Sequence, residues 1–407
     1  MVVEVMIAEM GAQGDGVTAD GHFVAGALPG EKVAVEIKGH RAQLRHILEP
    51  STARVEPVCP HYVRCGGCSL QHADDAYVEA WKEDLVRRSL AARGLDHGVI
   101  RPVTTSPPAS RRRATFTARR TRKGVTIGMH AGGSADIVPV PACRVMVPGM
   151  IERLGRLSDL VLYGASRKGE MRLTLTASEA GLDVAVTNGK PVEGPVYGNL
   201  VAAAAASDIA RLSWNGEILV TRRVPFQRFG HARIIPPAGG FMQATAHGEA
   251  ALVRGVQEVA SGARRVADLF AGAGTFALVL AENAEVLAVE SSPDAIAALD
   301  EGWRKTEGLK RVKAVQRDLF RRPMLVRELD GLDTVVIDPP RQGARAQCEQ
   351  LALSTVPRIA MASCNPATFA RDVRILVDGG FGLDWVQPID QFRWSSHVEL
   401  IASLSRI

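Results

Sequence analysis

The sequence predicts an α/β protein with a Rossmann-like C-terminal domain, preceded by an OB-like β-barrel and a β-rich central domain. Two observations support this prediction: short apolar alternations between glycine-rich turns at the N-terminus, and strands alternating with helices after about residue 240. The 407 residues are 46% hydrophobic, which is enough for more than one core. We expect domains over residues 1–53, 54–238 and 239–407.

The first two domains are predicted to be mainly β-structure. Apolar residues alternate over Val2–Ile7, Glu31–Ile37 and Gln43–Leu48, as expected for a small barrel of short strands. Helical spacing follows over Asp74–Arg93, and short β patterns occupy residues 111–235.

The C-terminal domain alternates between strands and helices. Its parallel strands are predicted at Arg265–Phe270, Glu285–Glu290, Arg311–Asp318, Asp333–Asp338 and Arg358–Ser363. Helices between them, the first over Thr275–Asn283, would cover both faces of the sheet. Phe381–Gln387 and Val398–Ser405 have only a short connection, which predicts an antiparallel hairpin closing the sheet.

The charge pattern allows a polyanion partner without requiring one. The formal net charge is +5, and residues 101–123 contain eight basic side chains and no acidic one. These are Arg101, Arg111, Arg112, Arg113, Arg119, Arg120, Arg122 and Lys123. They form either a solvated surface or a site for phosphates and stacked bases. Without a membrane-spanning or signal pattern, we expect a cytoplasmic protein with no membrane partner.

A glycine-rich turn marks a candidate cofactor site. Asp268–Gly274 follows a predicted strand, and its glycines allow a tight turn that brings the backbone close to a ligand. An ordinary βα turn is the alternative. Glu290 and Asp318 end the next two strands, where they can meet ribose hydroxyls and an adenine amino group. Ala277 leaves a dinucleotide fold possible, because the relaxed fingerprint permits alanine there.

The next motif favours methyl transfer over hydride transfer. Asp338-Pro339-Pro340 follows the fourth strand, and this motif fits a methyltransferase but has no role in a dehydrogenase. Enzymes that methylate exocyclic amines typically have an aromatic residue next. Arg341 stands there instead, which argues against N-methylation and leaves carbon methylation open.

Cys364 is the candidate nucleophile, in Ser363-Cys364-Asn365-Pro366 at the end of a buried strand. From position alone, a structural buried thiol is equally plausible. Methylation at carbon 5 of uracil would need such a group, because a thiolate adding to C6 turns C5 into a nucleophile. Glu399 is the candidate base, with His397 as the competing one. Arg341 is hypothesised to stabilise negative charge nearby.

Four other cysteines form a candidate metal centre. Cys59, Cys65 and Cys68 lie within ten residues, and Cys143 lies far downstream. The spacing leaves a structural zinc site and an iron–sulfur cluster both open, and three unrelated buried thiols less favoured. Small residues between Cys65 and Cys68 favour a cluster, because they leave room for it.

These motifs together resemble one enzyme family. Phe241-Met242-Gln243, the Asp268–Gly274 turn, Asp338–Arg341, Ser363–Pro366 and His397-Val398-Glu399 are similar in order and spacing to RNA 5-methyluridine (uracil-C5) methyltransferases, which have a class I fold dependent on S-adenosylmethionine (SAM). The resemblance implies that Cys364 is the nucleophile and Glu399 the base. It also implies SAM contacts at Gln243, Phe270, Thr275, Glu290, Asp318 and Asp338.

The resemblance extends to the N-terminal half. Gly26–Val33 is similar to the turn and strand of the RNA-binding TRAM barrel. Together with the cysteine spacing, this resembles the 23S ribosomal RNA branch, which implies a [4Fe–4S] cluster on Cys59, Cys65, Cys68 and Cys143. The family further implies a monomer whose helical segment, about residues 71–104, packs on the catalytic domain. Phe392–Ser396 departs from the family's Pro-His-Thr-like segment.

Four other functions remain as alternatives. The RNA could be a transfer RNA. Methylation of cytosine C5 uses similar thiolate chemistry but usually places the cysteine after a proline. A radical SAM enzyme would need a compact CxxxCxxC motif, which this cysteine spacing does not supply. An inactive RNA-binding iron–sulfur protein is the non-enzymatic alternative, against which the intact Cys364 and Glu399 argue.

Overall fold

The computed structural model describes residues 2–95 and 98–407. Residues 96 and 97, which belong to the segment predicted to pack on the catalytic domain, lie outside the described residues, as does residue 1. In the described ranges, no helix is both long and apolar enough to cross a lipid bilayer.

The N-terminal strands form the predicted barrel. They are β1 (Val2–Met10), β2 (Gly16–Thr18), β3 (Phe23–Val24), β4 (Lys32–Lys38) and β5 (Arg41–Glu49). The barrel closes in the order β1-β2-β3-β5-β4. Its interior contains Ile7, Val24, Val33 and Val35, so alternating apolar positions face inward as expected. The predicted barrel is therefore confirmed.

A helix and two short strands link the barrel to the C-terminal sheet. The helix α1 (Asp75–Ala91) begins at Asp74, whose carboxylate accepts a hydrogen bond from the Tyr77 amide at 2.7 Å. The short strands β6 (Val99–Ile100) and β7 (Thr104–Thr105) follow. On α1, the buried Lys82 amine lies 2.7 Å from the buried Asp390 carboxylate of the C-terminal hairpin, which ties the helix to that hairpin.

The central region is β-rich, as predicted, but also contains helices that the sequence analysis missed. Its elements are β8 (Arg113–Thr121), β9 (Gly124–His130), β10 (Ile137–Val138), α2 (Pro148–Leu154), α3 (Ser158–Gly164), β11 (Met171–Ser178), β12 (Gly181–Thr187), α4 (Pro195–Ala206), β13 (Ile209–Trp214) and β14 (Glu217–Thr221). A 3₁₀ turn joins α2 to α3. The sheet order is β10-β9-β8-β11-β12-β13-β14. Because β12 and β13 are parallel, α4 is their crossover helix.

Trp214 explains two glycines of this core. A Cβ atom on Gly164 would lie 2.1 Å from the Trp214 ring, and one on Gly189 would lie 2.3 Å from it. Both positions therefore exclude a larger side chain. A hairpin of β15 (Gln227–Phe229) and β16 (Ala232–Ile234) follows the central sheet.

The C-terminal elements form the predicted doubly wound sheet. They are α5 (Ala246–Val259), β17 (Arg265–Leu269), α6 (Ala277–Leu280), β18 (Glu285–Glu290), α7 (Pro293–Arg304), β19 (Val312–Gln316), α8 (Val326–Leu329), β20 (Thr334–Ile337), α9 (Arg345–Ala352), β21 (Arg358–Ser363), α10 (Pro366–Asp378), β22 (Phe381–Asp390) and β23 (Glu399–Arg406). The order is β19-β18-β17-β20-β21-β23-β22-β6. Strands β17 to β21 are parallel, and β23 is antiparallel to its neighbours, so the closing hairpin is confirmed.

Two details differ from or add to expectation. The helix after the glycine-rich turn covers only Ala277–Leu280, because turns occupy the residues on either side. Strand β6 pairs with β22, and β7 extends the same edge, so residues 99–105 join the C-terminal sheet. The hairpin β15–β16 also packs against α7 of this sheet. The domain bounds at residues 53 and 238 remain predictions.

Candidate active site

A cavity of about 890 Å³ lies at the carboxyl ends of the parallel strands. Its lining includes every residue predicted for the cofactor and for catalysis: Gln243, Phe270, Thr275, Glu290, Asp318, Asp338, Cys364 and Glu399. Carboxyl ends of parallel strands meet at one edge of a sheet, which explains how residues so far apart in sequence come together. The role of each residue stays a prediction.

The loop after β17 has an unusual backbone conformation. Phe270 has a φ of +64°, a left-handed conformation that is uncommon for a bulky residue. Gly272 and Gly274 also have positive φ, and a Cβ on Gly274 would lie 2.9 Å from Leu299. Packing against Phe320, with ring centroids 5.3 Å apart, holds the Phe270 ring beside the cavity. The turn therefore exposes backbone to the cavity, as its glycines predict.

Backbone amides fix the acidic groups at the next two strand ends. One carboxylate oxygen of Glu290 accepts a hydrogen bond from Gly272 N at 3.1 Å, and the other accepts one from Ser292 N at 2.8 Å. Asp318 accepts a hydrogen bond from Phe320 N at 2.9 Å. Both carboxylates are thereby oriented before any ligand arrives, which lowers the entropic cost of binding.

Two aspartates lie deeper in the site. Burial raises the pKa of Asp338 to about 7. Burial and then the neighbouring Asp338 raise the pKa of Asp268, which lies fully inside the protein. Crowded buried carboxyls favour a bound cation, because a cation offsets their mutual repulsion. The sulfonium of SAM is such a cation.

The turn after β21 positions Cys364 beside Arg341. Asn365 caps α10 by accepting a hydrogen bond from Ala367 N, and its side-chain amide donates to Arg341 O at 3.1 Å. The Thr368 hydroxyl donates to the same carbonyl at 3.1 Å. These bonds fix the Arg341 backbone against the cysteine turn.

The local electrostatics oppose ionisation of the Cys364 thiol. Burial, and then the acidic groups of Glu399 and Asp338, raise its pKa to about 11, while Arg341 acts in the opposite direction. Burial and then Asp338 raise the pKa of Glu399 to about 8. Both groups are therefore largely protonated at neutral pH in this state of the site, so added positive charge is needed to ionise them.

The segment between β22 and β23 forms one wall of the cavity. The rings of Phe392 and His397 pack edge to face, with centroids 5.7 Å apart. Trp394 has a φ of +63°, and its carbonyl accepts hydrogen bonds from Ser69 N at 2.8 Å and Leu70 N at 3.0 Å. The loop that precedes Glu399 is therefore tied to residues next to Cys68.

Sequence reasoning missed two residues of this region. Arg111 was counted only as one basic residue among eight, yet it lines the cavity and its guanidinium lies 5.2 Å from the centroid of the Phe392 ring. Gln391 is buried and bonded to Gln243. Gln391 belongs to none of the sequence motifs and directly precedes Phe392–Ser396, which departs from the family's pattern.

The four predicted metal-binding cysteines line a second, smaller cavity. Cys59, Cys65, Cys68 and Cys143 surround it with apolar residues, and all four are free thiols. Burial raises the pKa of Cys68 to about 12 and also raises that of Cys65. Within residues 2–95 and 98–407, no group of His, Cys, Asp or Glu side chains is arranged to hold a single metal ion. The cluster therefore stays a prediction.

The arginine-rich segment is largely committed to contacts within the protein. Arg101 pairs with Glu258, Arg112 with Glu249, and Arg119 with Glu170. The Arg113 guanidinium donates to the carbonyls of Gly239 and Gly240 at 3.0 Å each. Most of this segment thus contacts neighbouring parts of the protein, and among its eight basic side chains only those of Arg122 and Lys123 are exposed.

Comparisons with known proteins agree with this geometry. The sequence model of the family described as tRNA (Uracil-5-)-methyltransferase matches residues 233–407. A protein described as an uncharacterized RNA methyltransferase of Brucella suis is 44% identical over 406 residues, covering 99% of this chain and 98% of that protein.

Two further matches are informative. The 23S rRNA (uracil(1939)-C(5))-methyltransferase RlmD of Chromohalobacter salexigens is 32% identical over 434 residues, covering 98% of this chain and 88% of the relative. The fold matches that of Pyrococcus abyssi tRNA (uracil-54, C5)-methyltransferase in complex with S-adenosyl-L-homocysteine, with a TM-score of 0.78 and 24% identity over 98% of this chain and 99% of the other. The chain therefore belongs to the RNA uracil-C5 methyltransferase family and is an RNA methyltransferase.

Proposed function

We propose that the protein transfers the methyl group of SAM to carbon 5 of a uridine in RNA through a covalent adduct with Cys364. The observation that carries this proposal is that one cavity is lined by Cys364, Glu399 and the predicted SAM contacts. With a volume of about 890 Å³, this cavity can hold both a cofactor and a flipped-out base.

Cys364 would begin the reaction by adding its thiolate to C6 of the uracil, which moves an electron pair towards the O4 carbonyl. Arg341, the basic residue that lowers the pKa of this thiol, favours the thiolate. The bound SAM supplies an electrophilic methyl group and a positive charge. C5 of the adduct would then be the nucleophile towards that methyl group, with the cofactor's sulfur keeping the electrons of the bond that breaks.

Glu399 would complete the reaction by removing the proton from C5. The electrons of that C–H bond restore the C5–C6 double bond, and the Cys364 thiolate leaves from C6. Burial raises the pKa of Glu399 to about 8, so its carboxylate binds a proton strongly, and the positive charges of Arg341 and of bound SAM would favour the ionised form that can accept one. His397 lies on the same loop, but burial and then Arg341 lower its pKa, and we assign it an orienting role.

We further propose that the RNA is 23S ribosomal RNA. The support is the relative with that named substrate, to which 98% of this chain aligns, and the N-terminal barrel, whose exposed apolar residues include Val2, Met6 and Phe23. The aromatic ring of Phe23 suits stacking on an unpaired base. A transfer RNA substrate is the alternative, since the matching family model is described by that substrate.

The small cavity is proposed to hold a [4Fe–4S] cluster on Cys59, Cys65, Cys68 and Cys143. The donor set fits: four free thiols face one mainly apolar cavity, and ferric and ferrous iron would neutralise thiolates that burial otherwise disfavours. Arg111 also lines this cavity and adds positive charge. The cluster would hold the cysteine loop in place, since methyl transfer needs no electron.

The test is methyl transfer from labelled SAM to RNA that lacks modifications, followed by nucleoside mass spectrometry. We expect 5-methyluridine in 23S rRNA, and a covalent protein–RNA complex that forms with wild type but not with Cys364→Ala. 5-Methyluridine in transfer RNA alone would overturn the substrate assignment. 5-Methylcytidine or a methylated amine as the sole product would overturn the reaction.

A further inference from the structure

The central sheet has two faces, and the helices α2, α3 and α4 pack on one of them. Leu173 of β11 points into the core that these helices form with the sheet. Because successive side chains of a strand point to opposite faces, Arg172 lies on the other face, in one row with Thr117 of β8 and Thr187 of β12. Arg172 and Thr187 are exposed, so this second face is partly open to solvent.

The loop over residues 236–240 covers the remaining part of the second face. Arg113 donates hydrogen bonds to two carbonyls of this loop, and Arg211 donates to a third. A Cβ atom on Gly239 would lie 2.9 Å from Cβ of Ala185 on β12, so the loop packs directly on the sheet. The same loop lines the large cavity. The uncovered rows of the sheet therefore adjoin the rim of that cavity.

The charge of the second face is positive. In the described strands β8, β9, β11 and β12, Asp183 is the only acidic side chain on this face, and its buried carboxylate lies 2.7 Å from Arg211. At the edge of the sheet, Glu170 pairs with Arg119. Arg172 has no ion-pair partner in the described parts of the chain, so its charge is available to an anion from outside.

Hydroxyl groups surround Arg172 on this face. The hydroxyls of Thr115 and Thr174 lie 2.9 Å apart, so one donates to the other, and the second keeps its hydrogen for an outside acceptor. Phosphate and ribose oxygens are such acceptors, and the fork of an arginine matches a phosphate group. The four described strands turn no Phe, Tyr or Trp to this face, so it offers contacts to an RNA backbone and no ring for stacking on a base.

We propose that this open face, formed by Thr115, Arg172, Thr174 and Thr187, binds the backbone of the single-stranded RNA next to the target uridine. The inference rests on the proposed function, because the target base must enter the adjoining cavity. The open face contacts phosphates and ribose hydroxyls, so it adds the same affinity for every sequence. Recognition of the base is left to the cavity.

The test compares Arg172→Gln with Arg254→Gln, which removes the same charge from an exposed position on α5, a helix that packs on the C-terminal sheet. Filter binding of an unmodified 23S rRNA transcript is measured over a salt series. In Arg172→Gln we expect Kd to rise about threefold to tenfold, and the slope of log Kd against log salt to fall by about 0.7, the value for one lost phosphate contact on a single strand. Arg254→Gln should match wild type in both.

Two further readouts separate the open face from the catalytic site. In Arg172→Gln the KM for RNA should rise with Kd, while kcat at saturating RNA and the Kd for SAM stay at the wild-type values. Thr187→Val removes an uncharged donor from the same row and keeps a β-branched side chain in the strand. This variant should raise the Kd for RNA about twofold to fivefold without changing the salt slope.

The outcomes also separate this inference from the proposed function. If Arg172→Gln and Arg254→Gln bind the transcript with the same Kd and salt slope, the open face does not bind RNA. If Kd rises in Arg172→Gln but the salt slope stays at the wild-type value, Arg172 contacts no phosphate, and the inference is overturned. If wild type forms no 5-methyluridine while Arg172→Gln shows both expected changes, the proposed function fails and the RNA contact at this face is supported.

Discussion

The two cavities place acidic groups in similar surroundings but differ in size and lining. The large cavity contains the carboxyls of Asp338 and Glu399 and the thiol of Cys364, and burial raises the pKa of each. In the small cavity, burial also raises the pKa of the Cys65 and Cys68 thiols. The large cavity has a volume of about 890 Å³ and can take up a cationic cofactor, whereas the small one is lined by four cysteines and would take a metal centre.

Burial of acidic groups can therefore serve both a cofactor site and a metal site. A buried acidic group is costly to ionise unless a positive charge lies close to it. In the large cavity, a cationic cofactor can supply this charge each time it binds. In the small cavity, the proposed cluster would supply it. Arg111 and Gly67 line both cavities, so the two sites share a wall.

The first prediction removes the nucleophile from the large cavity. Cys364→Ala should reduce methyl transfer by more than about 1000-fold, because the covalent step is lost. RNA and SAM binding should survive. The matched control is Cys348→Ala, whose thiol is buried in the core away from both cavities, and which should keep its activity. Comparable activity of Cys364→Ala and Cys348→Ala in single-turnover assays would rule out a nucleophilic role.

The second prediction removes a thiol from the small cavity. Cys68→Ala should abolish bound iron and lower the midpoint of thermal unfolding, because the remaining thiols cannot complete the proposed cluster. Iron and acid-labile sulfide per chain are the measurements, with Cys364→Ala as the control that keeps both. An iron content equal to wild type in Cys68→Ala would contradict the proposed ligand set.

The third prediction concerns the buried ion pair between Lys82 of α1 and Asp390 of β22. Lys82→Met leaves the Asp390 carboxyl buried without its partner and should lower the free energy of unfolding by about 3–5 kcal/mol. The double variant Lys82→Met/Asp390→Leu should recover much of this loss, since it buries no charge. Urea unfolding measures both. A single variant as stable as wild type would show that the pair contributes nothing.

The fourth prediction uses the pH dependence of the large cavity. The pKa values of about 7 for Asp338 and about 8 for Glu399 mean that both groups are mostly protonated at pH 6 and ionised at pH 9. The affinity for cationic SAM should therefore rise with pH, by about tenfold more than the affinity for S-adenosylhomocysteine, which lacks the sulfonium charge. Calorimetry at both pH values measures this. Parallel curves for the two ligands would contradict it.

Much of the catalytic sheet could be predicted, because its pattern is local. A few neighbouring residues are enough to recognise its continuous apolar strands, the proline at the start of α7 and the glycines at 272 and 274. The cavity lining could also be predicted, because the carboxyl ends of parallel strands lie at one edge of the sheet. The barrel was also predictable from its alternation.

The rest depended on tertiary context. Helices α2 and α3 have seven residues each, too few to show a clear helical period. The alanine-rich α4 was missed because the surrounding β patterns dominated the interpretation of this region. The basic residues of the arginine-rich segment could be counted but their partners could not be predicted, and five of these side chains bind within the protein. The hydrogen bond between Gln391 and Gln243 could not be predicted either, because the two residues are nearly 150 positions apart in the sequence.

The pairing of β7 with β22 joins parts of the chain that are far apart in sequence. Gln387 Nε2 and Thr104 Oγ1, which bond across this edge, are 283 residues apart. During ribosomal synthesis, the short strands β6 and β7 therefore emerge long before the hairpin on which they dock, and the cavity wall cannot assemble until that hairpin appears. Loop closure over such a distance is slow. The cavity is therefore completed only near the end of synthesis, after the barrel and the central sheet have been made.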